Sequence, residues 1–141
     1  MNNPYQQYRD TQVKTANQGK LILMLYDGAI RFLREAEENI PLKKFDIVNQ
    51  RIVRTQDILT ELMVSLNMSA GELSGNLYRI YEYLNRRLIE ANIKKDVTIL
   101  REVLQHLGDL REVWDEVIRS SGEQASMTQT GSRPGGLNVQ G

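Results

Sequence analysis

Four stretches of this chain place apolar residues three or four positions apart, the spacing that lines one face of a 3.6-residue helix. The first runs from Gln18 to Ile40. Leu21 to Tyr26 is six apolar residues in succession, which suits a buried strand as well as a helix. Continuation through Ala29, Ile30, Phe32, Leu33, Ala36 and Ile40 decides for a helix by length and period. Asn17 stands where a side-chain oxygen accepts from the unpaired amides of the first turn. Asp27 and Gly28 interrupt the run. A glycine there costs about 0.5–1 kcal/mol relative to alanine, and Gly28 beside Ala29 reads as a small-residue notch for a neighbouring helix.

Pro41 ends this helix, because the residue before a proline is pushed out of the helical region and proline supplies no amide. Phe45, Val48, Ile52, Thr55, Leu59, Leu62 and Leu66 then alternate spacings of three and four, a second helix roughly 33 Å long at about 1.5 Å per residue. Asn67, Met68 and Ser69 turn the chain into the third stretch, where Ser69 and Glu72 have the spacing of a capping box. Leu73, Leu77, Tyr81, Leu84, Leu88 and Ala91 form its seam. Lys94 and Lys95 suit the negative end of the helix dipole, and Asp96 is placed to cap the next helix. The fourth helix spans Val97 to Arg119, with Leu100, Leu104, Leu107, Leu110, Trp114 and Val117 or Ile118 inward.

Such short turns between long helices force antiparallel neighbours. The expected fold is therefore all-α, an antiparallel up-down four-helix bundle over residues 18–119. Residues 1–17 form a short N-terminal arm in which Tyr5 and Tyr8, three apart, can dock on an apolar groove as one helical turn. Residues 120–141, rich in Gly, Ser, Thr and Gln, form a disordered tail with too few apolar residues to offset the entropy of ordering.

Composition narrows the function. Within 141 residues, 18 Lys and Arg balance 18 Asp and Glu, and no segment concentrates the basic residues, so no nucleic-acid or anionic-membrane footprint is expected. There is no cysteine, which removes disulfides, thiol catalysis and thiolate metal sites. No run of apolar residues is long enough to insert in a membrane, and the N-terminus lacks a basic-then-apolar leader pattern; a cytoplasmic protein is expected. His106 is the single histidine, beside the fourth seam without belonging to it. The Glu-x-x-His repeats of di-iron bundles are missing, as is a lysine-bearing glycine loop for phosphate. Glu35, Glu37, Glu38, Asp109, Glu112, Asp115 and Glu116 sit among arginines on outer faces and read as solvated ion pairs. The expectation is a non-enzyme with no cofactor and no metal.

More apolar surface is present than four seams use. Ile47, Ile58, Met63 and Val64 lie off the second seam, and Tyr78, Ile80, Tyr83 and Ile89 off the third. Spare apolar surface on a soluble helix implies a partner that covers it, often an amphipathic helix. Here particular segments carry a resemblance: NPYQQY at Asn3–Tyr8, LILMLYDGAIRFL at Leu21–Leu33, GELSGNLYRIYEYLNRRLIEANIKKD at Gly71–Asp96 and LREVWDEVI at Leu110–Ile118. In order and spacing the chain resembles the flagellar secretion chaperone FliS family, although Gln18, Lys20 and the segment SAGEL depart from that family's commoner residues.

The resemblance implies a cytoplasmic export chaperone that binds the disordered C-terminal segment of flagellin 1:1. It would prevent premature polymerisation and assist type III flagellar secretion, with other flagellar regulators or export-gate components as additional partners. It also implies that Tyr5, Tyr8, Ile52, Ile58, Leu62, Tyr78, Tyr81, Leu84 and Leu88 take client-binding or arm-docking roles. Asn76, Arg86, Arg87, Glu90 and Asn92 belong to the same motif, as helix-end or interhelical hydrogen-bonding residues. Spacing alone leaves open which of Tyr78, Tyr81 and Tyr83 faces the core. The alternative reading is a non-catalytic dimeric regulatory or adaptor protein, its spare apolar surface covered by a client-free homodimer.

Overall fold

In the computed structural model, which describes residues 18–66 and 71–132, four helices carry the chain: α1 Gln18–Asn39, α2 Phe45–Val64, α3 Glu72–Lys94 and α4 Val97–Ser132. Each end has a local cause. The α1 helix stops two residues before Pro41, and Lys43 takes a positive φ of 59° to turn the chain into α2. Between α3 and α4 the turn is two residues. Lys95 closes α3 in the left-handed region, its ammonium donating to the Asn92 carbonyl, and the Asp96 carboxylate accepts from the Thr98 amide at 2.8 Å. The expected capping box at Ser69 does not start α3. The helix begins at Glu72 after Gly71, whose φ of 88° suits only glycine, and Ser69 lies outside the described residues, as does Asn17.

Cross-helix contacts give the topology. On α1 and α4, Gly19 meets Ile118, Asp27 pairs with Arg111 and Glu37 with Arg101, so one number falls as the other rises. The same reversal holds for Gly28–Ile58 and Glu35–Arg51 on α1 and α2, and for Gln56–Asn85 and Asn49–Asn92 on α2 and α3. It holds again for Tyr83–His106 and Arg87–Glu102 on α3 and α4. Every adjacent pair is antiparallel, and α1 closes the ring against α4. The expected up-down four-helix bundle is the observed fold. These ion pairs are mostly exposed and set register more than stability.

Inside the ring, the α2 seam is buried from Val48 through Ile52, Thr55 and Leu59 to Leu62, with the Thr55 hydroxyl donating to the Arg51 carbonyl. Leu21, Ile22, Tyr26, Ala29, Leu33 and Ala36 come in from α1, Tyr81, Leu84, Leu88 and Ala91 from α3, and Ile99, Leu100, Val103 and Leu107 from α4. Two seam expectations need correction: Phe45 is exposed rather than inward and Leu73 is 66% exposed. Of the alternatives Val117 and Ile118, Ile118 is the inward one, reaching across to Gly19, and Val117 is exposed. Trp114 is partly buried against the core, as expected of an anchor. The fourth helix also continues past Arg119 to Ser132, within the segment expected to be a disordered tail. Nothing in SSGEQASMTQTGS forbids helix sterically; the first such residue is Pro134, which disfavours helix at the residue before it. The N-terminal arm and residues 133–141 lie outside the described residues.

Candidate functional site

A groove opens between α3 and α4. Leu84 and Leu110 line its floor, Ile80 and Tyr83 one wall, and Asn76, Arg79, His106 and Asp109 its polar edge, around a volume of about 640 Å3. Toward the start of α3 the groove stays uncovered. The register set by Tyr83–His106 and Arg87–Glu102 places Leu73 level with the turn of α4 that carries Val113 and Val117, and all three are exposed. Leu73 is exposed for this reason: its neighbour on α4 at that height does not close over it. An apolar strip about two to three turns long therefore faces solvent where α3 and α4 should meet.

The opposite end of the groove is sealed by a polar cluster. The Tyr83 hydroxyl donates to Glu102 at 2.5 Å, Arg87 reaches Glu102 at 2.8 Å and Glu90 at 2.6 Å, and Lys94 reaches Glu90. These donors hold both carboxyls below the ordinary range, chiefly the Tyr83 hydroxyl for Glu102 and Lys94 for Glu90. The bond to Glu102 in turn pushes the Tyr83 phenol upward. His106 stands edge-on to the Tyr83 ring, 6.2 Å between centroids. The cluster fixes the Tyr83 ring as one wall of the groove. Among the described residues no three His, Asp or Glu side chains converge as metal ligands, and no helix is long and apolar enough to cross a membrane.

On the other flank of α3, facing α2, Tyr78, Ile89 and Ile93 are exposed, with Val53 and Val64 of α2. Side-chain amides bridge the two helices there, Gln56 to Asn85 at 2.9 Å and Asn92 to Asn49 at 2.7 Å. Thus α3 carries exposed apolar side chains on both flanks.

The expected site residues separate accordingly. Tyr78 is exposed and Ile58 half-buried on the α1 side of α2. Ile52, Leu62, Tyr81, Leu84 and Leu88 are core residues; of these only Leu84 also lines the groove. Tyr5 and Tyr8 lie outside the described residues. Among the three tyrosines of α3, Tyr81 turns inward and Tyr78 and Tyr83 outward. The cause lies across the bundle: the Tyr81 hydroxyl meets that of Tyr26 at 2.6 Å, buried, beside the indole of Trp114. Burial pushes both phenols up, since the anion would lose its water. Sequence reasoning passed over Leu73, Leu110, Val113 and Val117 as groove residues, because each sits at an ordinary seam spacing or beside one. Only the failure of α3 and α4 to close distinguishes them.

Comparison with known proteins places this arrangement. The family described as "Flagellar protein FliS" matches residues 1–121. A flagellar secretion chaperone FliS of Bacillus subtilis (strain 168) is 39% identical over 118 residues, covering 84% of this chain and 88% of that protein. The flagellar secretion chaperone FliSB of Pseudomonas aeruginosa is 34% identical over 115 residues, 80% of this chain and 91% of its own length. The Escherichia coli (strain K12) flagellar secretion chaperone FliS is 32% identical over 116 residues, 79% and 83% respectively. With the match running from the first residue through the helices that build the groove, this four-helix chain belongs to the FliS family of flagellar proteins.

Proposed function

We propose that the chain is a cytoplasmic flagellar export chaperone that binds the C-terminal segment of flagellin 1:1, keeps it from polymerising prematurely and holds it ready for type III secretion. The observation that carries this reading is the uncovered apolar groove between α3 and α4, in a member of a family whose relatives are named flagellar secretion chaperones. A helical client segment matches that groove by shape, and the second apolar strip on the α2 side of α3 gives the same segment somewhere to continue. Binding needs no chemistry. Apolar burial drives it, and the cost of ordering the client, about 2–5 kcal/mol or more, keeps it reversible.

In this reading the client touches Leu73, Ile80, Tyr83, Leu84, Val113 and Val117 on one flank of α3 and Tyr78, Ile89 and Ile93 on the other. The five core residues expected as contacts act by holding α3 in place, Leu84 doing both. The arm enters naturally. Gly19 lies against Ile118, so α1 begins at the end of the bundle where Leu73 and Val117 are exposed. Tyr8 is ten residues before Gln18 in the sequence, a span of up to roughly 33 Å, enough for Tyr5 and Tyr8 to occupy the groove until a client displaces them.

Calorimetric titration with a synthetic flagellin C-terminal peptide, followed by circular dichroism, tests this. A 1:1 complex with added helix supports the chaperone; no heat and no helix gain at about 50 µM protein refutes it. Deleting residues up to Asp10 is expected to strengthen or speed binding, and unchanged kinetics count against a docked arm.

A further inference from the structure

Where α3 and α4 close on each other, opposite charges on the two helices pair directly, as Arg87 does with Glu102 at 2.8 Å. About two turns nearer the start of α3 the helices stand apart, and the same order of charge is left facing across an apolar floor. Of the residues lining the groove, Arg79 on α3 and Asp109 on α4 carry opposite charge, and both are exposed. Continuing the register from Arg87–Glu102 sets Arg79 level with residue 110, so the two stand within one residue, about 1.5 Å, of the same height. Each is held on its own lip. The Arg79 guanidinium donates to the Asn76 side-chain oxygen, the Asp109 carboxylate accepts from the Gln105 amide at 3.1 Å, and among the described residues neither forms an ion pair. Between the lips lie Ile80, Leu84 and Leu110.

A helix laid over that floor meets both lips at once. When its residue i points down at Leu84 and Leu110, residues i−1 and i+1 lie about 100° to either side, one over Arg79 and the other over Asp109. Given the groove as the client site, on which this assignment rests, we infer that Arg79 and Asp109 read the charge on the client's flanks. The segment that fits carries an acidic residue on the α3 side of its apolar ridge and a basic residue on the α4 side. Turning such a helix end for end exchanges its flanks and sets like charge against like, so the same pair fixes the direction in which the client lies. Nearer the open end Glu72 and Glu116 are level within one residue and of one sign, so they favour neither direction. Exposed ion pairs contribute little each. A choice between two attractions and two repulsions is a larger difference, and one that salt removes.

Three synthetic amphipathic helices of about 18 residues, or five turns, test this. They share one apolar ridge and differ at the two flanking positions: acid opposite base, acid on both, base on both. Fluorescence anisotropy at low salt measures their affinity for the full chain. The wild-type chain is expected to bind the mixed-flank peptide about five-fold more tightly than either like-flanked one, with the difference lost near about 1 M salt. Asp109→Arg makes both lips basic and moves the preference to the acidic peptide; Arg79→Asp makes both lips acidic and moves it to the basic one. Both positions are exposed, and melts by circular dichroism establish that both variants fold. Equal affinities on the wild-type chain overturn the inference, as does a preference that either reversal fails to move, or binding by none of the three. The outcome is separable from the flagellin titration. Flagellin peptide bound with no ranking among the three overturns the flank reading alone, and the expected ranking without flagellin binding leaves the flank reading standing and removes flagellin as the client.

Discussion

Replacing Tyr81 by phenylalanine removes one oxygen from the centre of the bundle and leaves the Tyr26 hydroxyl without its partner. The two oxygens are 2.6 Å apart and both side chains are buried, so water does not replace the lost contact. Leaving a buried donor or acceptor unsatisfied costs about 1–3 kcal/mol, whereas a made hydrogen bond contributes only about 0.5–1.5 kcal/mol net. The Trp114 indole stands beside the pair but has only an N–H, so it supplies no acceptor for the hydrogen of whichever hydroxyl remains. Each single variant, Tyr26→Phe or Tyr81→Phe, is therefore expected to lose about 1–2 kcal/mol. The double variant removes both needs at once and is expected to lose no more than either single change, a coupling of about 1 kcal/mol or more. Urea denaturation followed at 222 nm measures all four proteins with one probe. Losses that simply add in the double variant refute the argument, because they mean that the two hydroxyls act independently and the buried bond has no special role.

The same pair makes stability depend on alkali. Both phenols have folded pKa values raised above the unfolded value of 10, so their contribution is complete below pH 10 and falls as pH rises beyond it. The Tyr26→Phe, Tyr81→Phe double variant is expected to lose most of that slope in melts between pH 9 and about 11.5. At the acid end the sign reverses: Glu102, held below its unfolded value of 4.5, favours the fold above that pH and ceases to as pH falls through the lowered value. Glu102→Gln should flatten the acid limb of the stability curve. Two glycines should respond oppositely to alanine. At Gly19 the new Cβ would stand 2.8 Å from Ile118, so Gly19→Ala is expected to cost about 1 kcal/mol, relieved in an Ile118→Ala background. At Gly28 the nearest atom is an ordinary 3.4 Å away, so Gly28→Ala is expected to gain up to about 1 kcal/mol of helix propensity in thermal melts. Ile80→Asp, on the groove wall, should weaken the flagellin peptide at least about ten-fold by calorimetry with little change in melting temperature.

Helix period carried most of the architecture because the α2 seam is buried at five consecutive inward positions, Val48 to Leu62, and period is what burial selects. Pro41 and Asp96 marked ends correctly for the same kind of reason: each acts on its own backbone and neighbours. The groove was less legible. Whether Tyr78, Tyr81 or Tyr83 turns inward is decided by Tyr26, fifty-five residues earlier on a helix across the ring, and no local spacing encodes that. Leu73 has an ordinary seam position, yet it is exposed because α4 does not close over it. Burial of a seam residue needs a partner surface, and the partner is a property of the assembled bundle.

The ring of helices also has a history in time. Each helix except the first packs on its predecessor, and only the α1–α4 contact joins distant parts of the chain, with Asp27 and Arg111 eighty-four residues apart. Local pairings form fast and the long loop closes last. During synthesis α1, α2 and α3 emerge and associate in order, while the inner face of α1 that carries Ile22 and Ala29 waits for α4. Until Arg111 leaves the ribosome the newborn chain displays that face, so its own final helix is the first segment for which it must be kept available.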